Sequence, residues 1–168
     1  LDRLIERLIE ASIVYLNRQI DAGAQVVQVF ESFASALPPG LIEKLSFTPL
    51  RRIVAGVKAK HPQAKVILFA RGAGPRLEGL AQSSGADGIG LDWGVDPRWA
   101  AATLNPEVTL QGNLDPLALI AGGEALQRDV AAIREAMSER PFIFNLGHGI
   151  QPQTPVAHVE QLVKLVRS

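Results

Sequence analysis

The chain has 168 residues, of which 47% are hydrophobic and 20% charged, with 17 basic and 17 acidic side chains. This length predicts one domain with a substantial core, and a formal net charge of zero gives no electrostatic attraction to nucleic acid or to an anionic membrane. Cysteine is absent, which excludes disulfides, thiolate metal sites and a cysteine nucleophile within this sequence and is typical of a reducing cytoplasm.

The first segment is predicted to be an amphipathic helix from about Asp2 to Ala22. Its leucines and isoleucines recur at helical spacing, and Gly23 ends the pattern. Charged side chains such as Arg3 and Glu6 interrupt the apolar run. We therefore expect neither a signal peptide nor a membrane span in this segment.

Five strands alternate with helices along the rest of the chain. The predicted strands are Val26–Phe30, Lys65–Ala70, Gly88–Asp92, Val108–Gln111 and Phe142–Leu146. Helical patterns follow each strand, and a long helix is predicted from about Glu124 to Met137. The final helix runs from about Pro155 to Val166. Its inner face is predicted to be Val159, Leu162, Val163 and Val166. Strands that are apolar on both faces must be covered on both sides, which predicts a parallel sheet in an α/β fold.

Two architectures fit this pattern: an open doubly wound sheet of five strands and part of a (βα)8 TIM barrel. Every predicted strand ends in polar or glycine residues, which favours the barrel, because its strands share one rim. Five units cannot close a barrel of about eight strands. We therefore predict that residues 1–168 form a single domain, the C-terminal five βα units of a (βα)8 TIM barrel, with the N-terminal part apparently missing.

The last strand runs into the most informative segment of the chain, Asn145 to Gly149. Ligands bind where parallel strands end, so Asn145 and His148 are candidate ligand contacts. Glycines on both sides of His148 would leave the backbone open to close approach. The alternative is that Gly147 and Gly149 only shape a turn around a partly buried histidine.

Other strand ends carry weaker signals, each with a structural alternative. Arg71-Gly72-Ala73-Gly74 would either cradle an anion or form a tight βα turn, with Arg71 as a carboxylate contact. Asp92-Trp93 would supply an acid and a stacking surface, or else a turn cap and rim packing. Asn113 and Asp115 would touch a ligand, although Asp115 before Pro116 is also an ordinary helix N-cap.

The histidines outside this segment predict no metal site. His61 falls in a turn and His158 on a helix, and we interpret both as solvated or structural. No histidine has metal-ligand spacing, and no carboxylate pair accompanies them.

Taken together, the strand ends resemble the uroporphyrinogen decarboxylase family over nearly the whole chain. The specific pair of motifs is Leu110-Gln-Gly-Asn-Leu-Asp-Pro116 and Asn145-Leu-Gly-His-Gly149, preceded by Glu31-Ser32, Arg71-Gly72 and Gly88-Ile-Gly-Leu-Asp-Trp93. Either motif alone is only suggestive. Their order and spacing together carry the resemblance.

The resemblance implies a cofactor-free and homodimeric enzyme of haem biosynthesis. The balanced charge and the lack of cysteine, in turn, predict a cytoplasmic protein that binds no nucleic acid and no membrane. It would convert the four acetate side chains of the tetrapyrrole uroporphyrinogen III to methyls, giving coproporphyrinogen III. Ser32 and His148 carry over as substrate-binding residues, with Arg71 and Asn145 as secondary contacts. The family's aspartate, arginines and tyrosine at the reacting groups have no counterpart here, so this segment would hold no catalytic residue and would be inactive alone.

Two alternatives stay open from the sequence. Corrinoid or thiol methyltransferases share the barrel outline but bind zinc through a histidine and cysteines, and the lack of cysteine argues against them. A non-catalytic half-barrel that serves as an interaction module is the other, and it would bury its apolar strand edges against a partner.

Overall fold

A computed structural model describes residues 1–167 of the chain. Helices and strands alternate through this range, and the strands occur in the sheet in chain order, β1-β2-β3-β4-β5. The strands are β1 (Val26–Glu31), β2 (Lys65–Ala70), β3 (Gly88–Gly90), β4 (Thr109–Leu114) and β5 (Phe142–Leu146). The helices are α1 (Asp2–Asp21), α2 (Pro39–Ile42), α3 (Thr48–Lys60), α4 (Leu77–Ser83), α5 (Pro97–Thr103), α6 (Pro116–Ala121), α7 (Gly123–Ala136) and α8 (Val156–Arg167).

The chain divides into two compact units, Leu1–Ile89 and the part from Gly90 onward. In the first unit β1 pairs in parallel with β2, with Val26 opposite Lys65 and Glu31 opposite Ala70. In the second unit β4 pairs in parallel with β5, with Leu110 opposite Phe142. The prediction of parallel strands that alternate with helices is confirmed.

The core of the first unit forms between β2 and its helices. Residues 66–70 of β2 are all buried, as the continuous apolar run predicts for a strand covered on both faces. Helix α3 buries Val54 and Val57, and α4 buries Leu77 and Leu80. Helix α1 packs on α3, where Gly56 leaves room for the Ile13 side chain.

Arg140 connects the elements that precede β4 and β5 in the second unit. Its guanidinium donates hydrogen bonds to four backbone carbonyls, those of Ala101 (3.0 Å), Leu104 (2.7 Å), Asn105 (2.6 Å) and Val108 (3.0 Å). Burial lowers the pKa of the Arg140 guanidinium, which nevertheless stays charged at neutral pH. One cation thus binds a carbonyl in the last turn of α5, that of Ala101, and three carbonyls of the segment that leads from α5 to β4.

The structure corrects three of the predicted elements. Strand β4 does not stop at Gln111 but continues to Leu114, because pairing with β5 extends to Leu114 opposite Leu146. Strand β3 is shorter than predicted and ends at Gly90, where the chain begins to turn. On α8, Val163 was predicted to face inward but is 44% exposed.

Within residues 1–167, no helix combines the length with the apolar composition that crossing a membrane requires.

Candidate functional site

A tight turn follows β3 in the second unit. The Val95 amide donates to the Asp92 carbonyl over 3.1 Å, which closes a four-residue turn from Asp92 to Val95. The Asp92 carboxylate accepts a hydrogen bond from the Gly94 amide at 2.8 Å, as aspartate at the first position of a turn commonly does. Asp92 is only 6% exposed, so the interpretation of this residue as a turn cap is confirmed.

Asn113 fastens this 92–95 turn to strand β4. Its side-chain amide donates to the carbonyls of Asp92 (3.1 Å) and Val95 (2.7 Å), and the residue is 4% exposed. Gly112 brings the strand close enough for these bonds. It has φ +144°, and a Cβ there would lie 2.7 Å from the Leu91 carbonyl oxygen. Asn113 is therefore a structural residue rather than the ligand contact considered from the sequence.

Strand β5 meets the same turn through Gly147 and His148. The Gly147 amide donates to the Leu114 carbonyl at 2.8 Å, and a Cβ on Gly147 would collide with the backbone nitrogen and Cα of Trp93. This close approach brings the next side chain against the turn. The Trp93 and His148 rings lie edge to face, with centroids 5.7 Å apart and an interplanar angle of 85°.

The surroundings of His148 differ from both sequence interpretations. The backbone at Gly147 is not open to a ligand, because Trp93 fills the space that the missing side chain leaves. Of the two glycines beside His148, Gly149 is the one with open space, since no atom lies within 4 Å of a Cβ built there. His148 itself is exposed, so the alternative of a partly buried histidine is wrong. Its imidazole lies just after the end of β5, beside the Trp93 ring, and is exposed to a carboxylate in solution.

The strand ends of the first unit are joined by their backbones. The Arg71 amide donates to the Glu31 carbonyl at 3.0 Å, and the Ser35 amide donates to the Arg71 carbonyl at 3.1 Å. The Glu31 carboxylate accepts from the Phe33 amide at 3.0 Å. The half-buried residue Ser32 lies between these contacts, in the segment that leads from β1 to a short 3-10 turn, Ala34–Ala36.

The Arg71-Gly72-Ala73-Gly74 segment forms the predicted tight turn. Gly72 and Gly74 have φ values of +70° and +55°, which favour glycine. A Cβ on Gly72 would lie 2.5 Å from the Ser35 Cβ, so this turn packs directly against the segment after Ser32. The structure thus brings Ser32 and Arg71 into neighbouring segments of the first unit, while Asn145 and His148 share one strand end of the second.

The remaining candidates have structural contacts. The Asn145 side chain is exposed and accepts a hydrogen bond from the Leu146 amide at 2.8 Å. The Asp115 carboxylate accepts from the Leu117 amide at 2.8 Å, so Asp115 caps α6 as predicted. The His158 ring lies 3.1 Å and 3.0 Å from the carbonyls of Leu119 and Ile120, and the prediction that it is structural is confirmed.

Two residues of the site, Asn113 and Gly147, have roles that the sequence interpretation missed. The Asp92-Trp93-Gly94 order is a turn signal and was visible in the sequence. The contacts of Asn113 and Gly147 with the 92–95 turn were not visible, because they join residues far apart in the chain. Among residues 1–167, no three histidine, aspartate or glutamate side chains are grouped as metal ligands would be.

The fold is shared with a solved structure, that of a methyltransferase from Methanosarcina mazei. The likeness has a TM-score of 0.81 and covers 95% of this chain and 46% of that one. At 21% sequence identity it bears on the fold alone. With the five successive βα units, it identifies the chain as βα units of a TIM-barrel protein, which confirms the predicted fold class.

Sequence comparisons define the family. The model of the uroporphyrinogen decarboxylase family (URO-D) matches residues 1–168, and the chain belongs to that family. Several relatives are named uroporphyrinogen decarboxylase. The one from Granulibacter bethesdensis is 50% identical, and the alignment covers 99% of this chain and 49% of the relative. Those from Sphingopyxis alaskensis and Erythrobacter litoralis are 49% and 44% identical, with 98% and 100% of this chain and 48% and 49% of the relative covered. The chain spans about half the length of these curated relatives.

Proposed function

We propose that this chain is the C-terminal part of a uroporphyrinogen decarboxylase. The observation that carries the proposal is the family match over the entire chain, supported by relatives of that name at 44–50% identity. The reaction would remove the four acetate carboxyl groups of uroporphyrinogen III as CO₂ and leave methyl groups, without a cofactor. The residues of this chain would bind substrate, and the preceding half of the protein would hold the groups that act on the pyrrole rings.

His148 is the principal substrate contact in this proposal. It is exposed at the end of β5, and its protonated imidazole would donate a charge-assisted hydrogen bond to a propionate or acetate carboxylate. The Trp93 ring restricts where the imidazole can lie. Ser32 would donate its hydroxyl proton to another carboxylate, and Arg71 and Asn145 would make secondary contacts.

The chemistry explains why binding residues matter in such an enzyme. Protonation of a pyrrole ring carbon makes the ring an electron sink, and the C–C bond of the acetate then breaks with loss of CO₂. The exocyclic carbon left by this loss takes up a proton to become a methyl group, and the ring carbon gives up the proton it received, which restores the pyrrole. Each step requires the acetate to be held in a fixed orientation. Hydrogen-bond donors such as Ser32 and His148 would supply that orientation.

We also propose that the longer protein is a homodimer in the cytoplasm. The lack of cysteine is compatible with a reducing compartment, and zero formal net charge gives no general attraction to nucleic acid or anionic lipid. Sedimentation equilibrium of the longer protein would test the dimer.

The assay that tests the function compares this chain with a longer protein that carries it. Uroporphyrinogen III is supplied anaerobically, and the products are oxidised to porphyrins and separated by their number of carboxyl groups. We expect the longer protein to yield coproporphyrinogen through intermediates with seven, six and five carboxyl groups, and the chain alone to yield none. A longer protein without this activity contradicts the proposed function, and turnover by the chain alone contradicts the division of roles.

A further inference from the structure

We propose that Trp93 is a positioning residue that sets the orientation of the His148 imidazole for carboxylate binding. This inference rests on the proposed function, since it assigns the role of His148 to substrate binding. It begins from the edge-to-face contact of the two rings, 5.7 Å between centroids and 85° between planes. Aromatic rings favour this geometry because the positive edge of one meets the negative face of the other.

The backbone holds Trp93 where it can act in this way. Trp93 is the second residue of the 92–95 turn, which is closed by the bond from Val95 to Asp92 and by the Asp92 carboxylate. Asn113 ties both ends of that turn to β4 through two hydrogen bonds of 3.1 Å and 2.7 Å. A rigid turn therefore supports the Trp93 ring, although the side chain is 45% exposed.

The position of His148 is fixed against the same turn. Gly147, its neighbour, packs on the Trp93 backbone so closely that no side chain fits. The Gly147 amide is also bound to the Leu114 carbonyl at 2.8 Å. The backbone on both sides of the ring pair is thus constrained, and the imidazole keeps only its own side-chain rotations. The Trp93 ring blocks part of that rotation, which lowers the entropy lost when a carboxylate binds.

The Trp93 ring also provides an apolar wall on one side of the imidazole. A carboxylate that binds there is shielded from water on that side, which strengthens its hydrogen bond to the imidazole. Trp93 would act on substrate affinity through His148 rather than on bond breaking.

The test uses the longer protein with the substitutions W93L, W93F and H148Q, and with W99F as the matched control on α5. The first readout is the NMR spectrum of ¹³C-labelled histidine, in which the signals of His148 are those that H148Q removes. The ring current of Trp93 displaces these signals. We expect W93L to move them, W93F to move them less, and W99F to leave them in place.

The second readout is steady-state turnover of uroporphyrinogen. W93L is expected to raise KM about two- to tenfold, the range for loss of an aromatic pair, with kcat within about twofold, and W93F is expected to restore most of the affinity. A purely structural role would instead lower the active fraction, and hence kcat, without changing KM. Unchanged His148 signals or an unchanged KM in W93L overturns the proposal. If W93L does not fold, W93F decides by the NMR readout, in which unchanged His148 signals overturn the proposal.

The two readouts also separate this inference from the proposed function. The NMR measurement needs no turnover. An inactive longer protein whose His148 signals move in W93L would contradict the decarboxylase activity and still support the contact between Trp93 and His148 on which the positioning rests. An active protein whose signals and KM do not change would contradict the positioning alone.

Discussion

Gly147 and Gly149 stand on either side of His148 and have opposite surroundings. A side chain on Gly147 would collide with the Trp93 backbone, whereas one on Gly149 would meet no atom within 4 Å. Neither glycine has a positive φ, so steric room alone distinguishes them. The pair therefore offers a matched experiment on the contact between β5 and the 92–95 turn.

We expect G147A to lower the free energy of unfolding by about 1–3 kcal/mol, because overpacking against backbone forces β5 or the turn to move. G149A should change it by less than about 0.5 kcal/mol. Urea unfolding of both variants measures the difference. Equal effects of the two substitutions would contradict the close contact of Gly147 with Trp93.

His148 is expected to contribute to binding and not to stability. Loss of a charge-assisted hydrogen bond in H148Q should lower kcat/KM for uroporphyrinogen by about tenfold or more, with an unchanged melting temperature because the side chain is exposed. H158Q is the contrasting variant. Its ring contacts the carbonyls of Leu119 and Ile120, so it should lower stability and leave kcat/KM nearly unchanged. Activity of H148Q equal to that of the parent would contradict substrate binding by His148.

At the residue scale, the sequence predicted caps at Asp92 and Asp115 as one of two interpretations of each, and the structure confirms that interpretation for both. These assignments depend on neighbours within a few residues, such as the glycine after Trp93 and the proline after Asp115. The sequence could not reveal that the Trp93 backbone occupies the space beside Gly147, because that contact depends on how β5 meets a turn distant in the chain. The roles of Ser32, His148, Arg71 and Asn145 in binding stay predictions.

The elements were predicted best where one signal dominated. Strand β2 and strand β5 have the predicted bounds, since each is a short apolar run between clear breakers. Strand β4 was predicted too short because Gly112 and Asn113 resemble the start of a loop. They lie within the strand because its pairing with β5 and the bonds from Asn113 to the turn outweigh weak strand propensity.

Arg140 offers a test of how the elements are joined. R140M would remove the guanidinium donor from four carbonyls of α5 and of the segment before β4, and we expect the free energy of unfolding to fall by about 1–3 kcal/mol. The control is R98M, whose guanidinium is 72% exposed and contacts only Glu135 among the ion pairs of residues 1–167. Its loss should cost less than about 0.5 kcal/mol. Thermal unfolding measures both, and an equal loss in the two variants would contradict the role of Arg140.

At the scale of the whole molecule, Asp87 links stability to pH. Burial alone would raise the pKa of Asp87, but hydrogen bonds from Lys58, the Val66 amide and Lys65 outweigh it and hold the pKa below the ordinary value of 3.8. A carboxyl whose pKa is lower in the folded state stabilises the protein above the unfolded value, and this contribution disappears as the pH falls through the folded value.

D87N should therefore lower the free energy of unfolding at pH 7 by about 1 kcal/mol. The difference between D87N and the parent should shrink as the pH falls below about 4. Urea unfolding at several pH values gives the comparison. A difference that stays constant from pH 7 to pH 3 would rule out the charge of Asp87 as its cause.

The alternation of strands and helices, and the apolar character of β2 on both faces, were enough to predict a parallel sheet in an α/β fold, and the polar or glycine residues at the strand ends were needed to favour a TIM barrel over an open sheet. Hydrophobic periodicity fixes such patterns locally. The motifs at the strand ends were enough to indicate the family. Neither could give the contacts among Trp93, Asn113 and His148, which depend on strand register and on a turn packed between two strands.

The most direct test is a crystal structure of the longer protein with coproporphyrinogen or a stable porphyrin analogue bound. The measurement is the distance from the His148 imidazole nitrogens to the nearest carboxylate oxygen of the ligand. We expect a hydrogen bond of about 2.7–3.0 Å, with the Trp93 ring still edge to face with the imidazole. A ligand whose carboxylates all lie beyond hydrogen-bond distance of His148 would contradict the account.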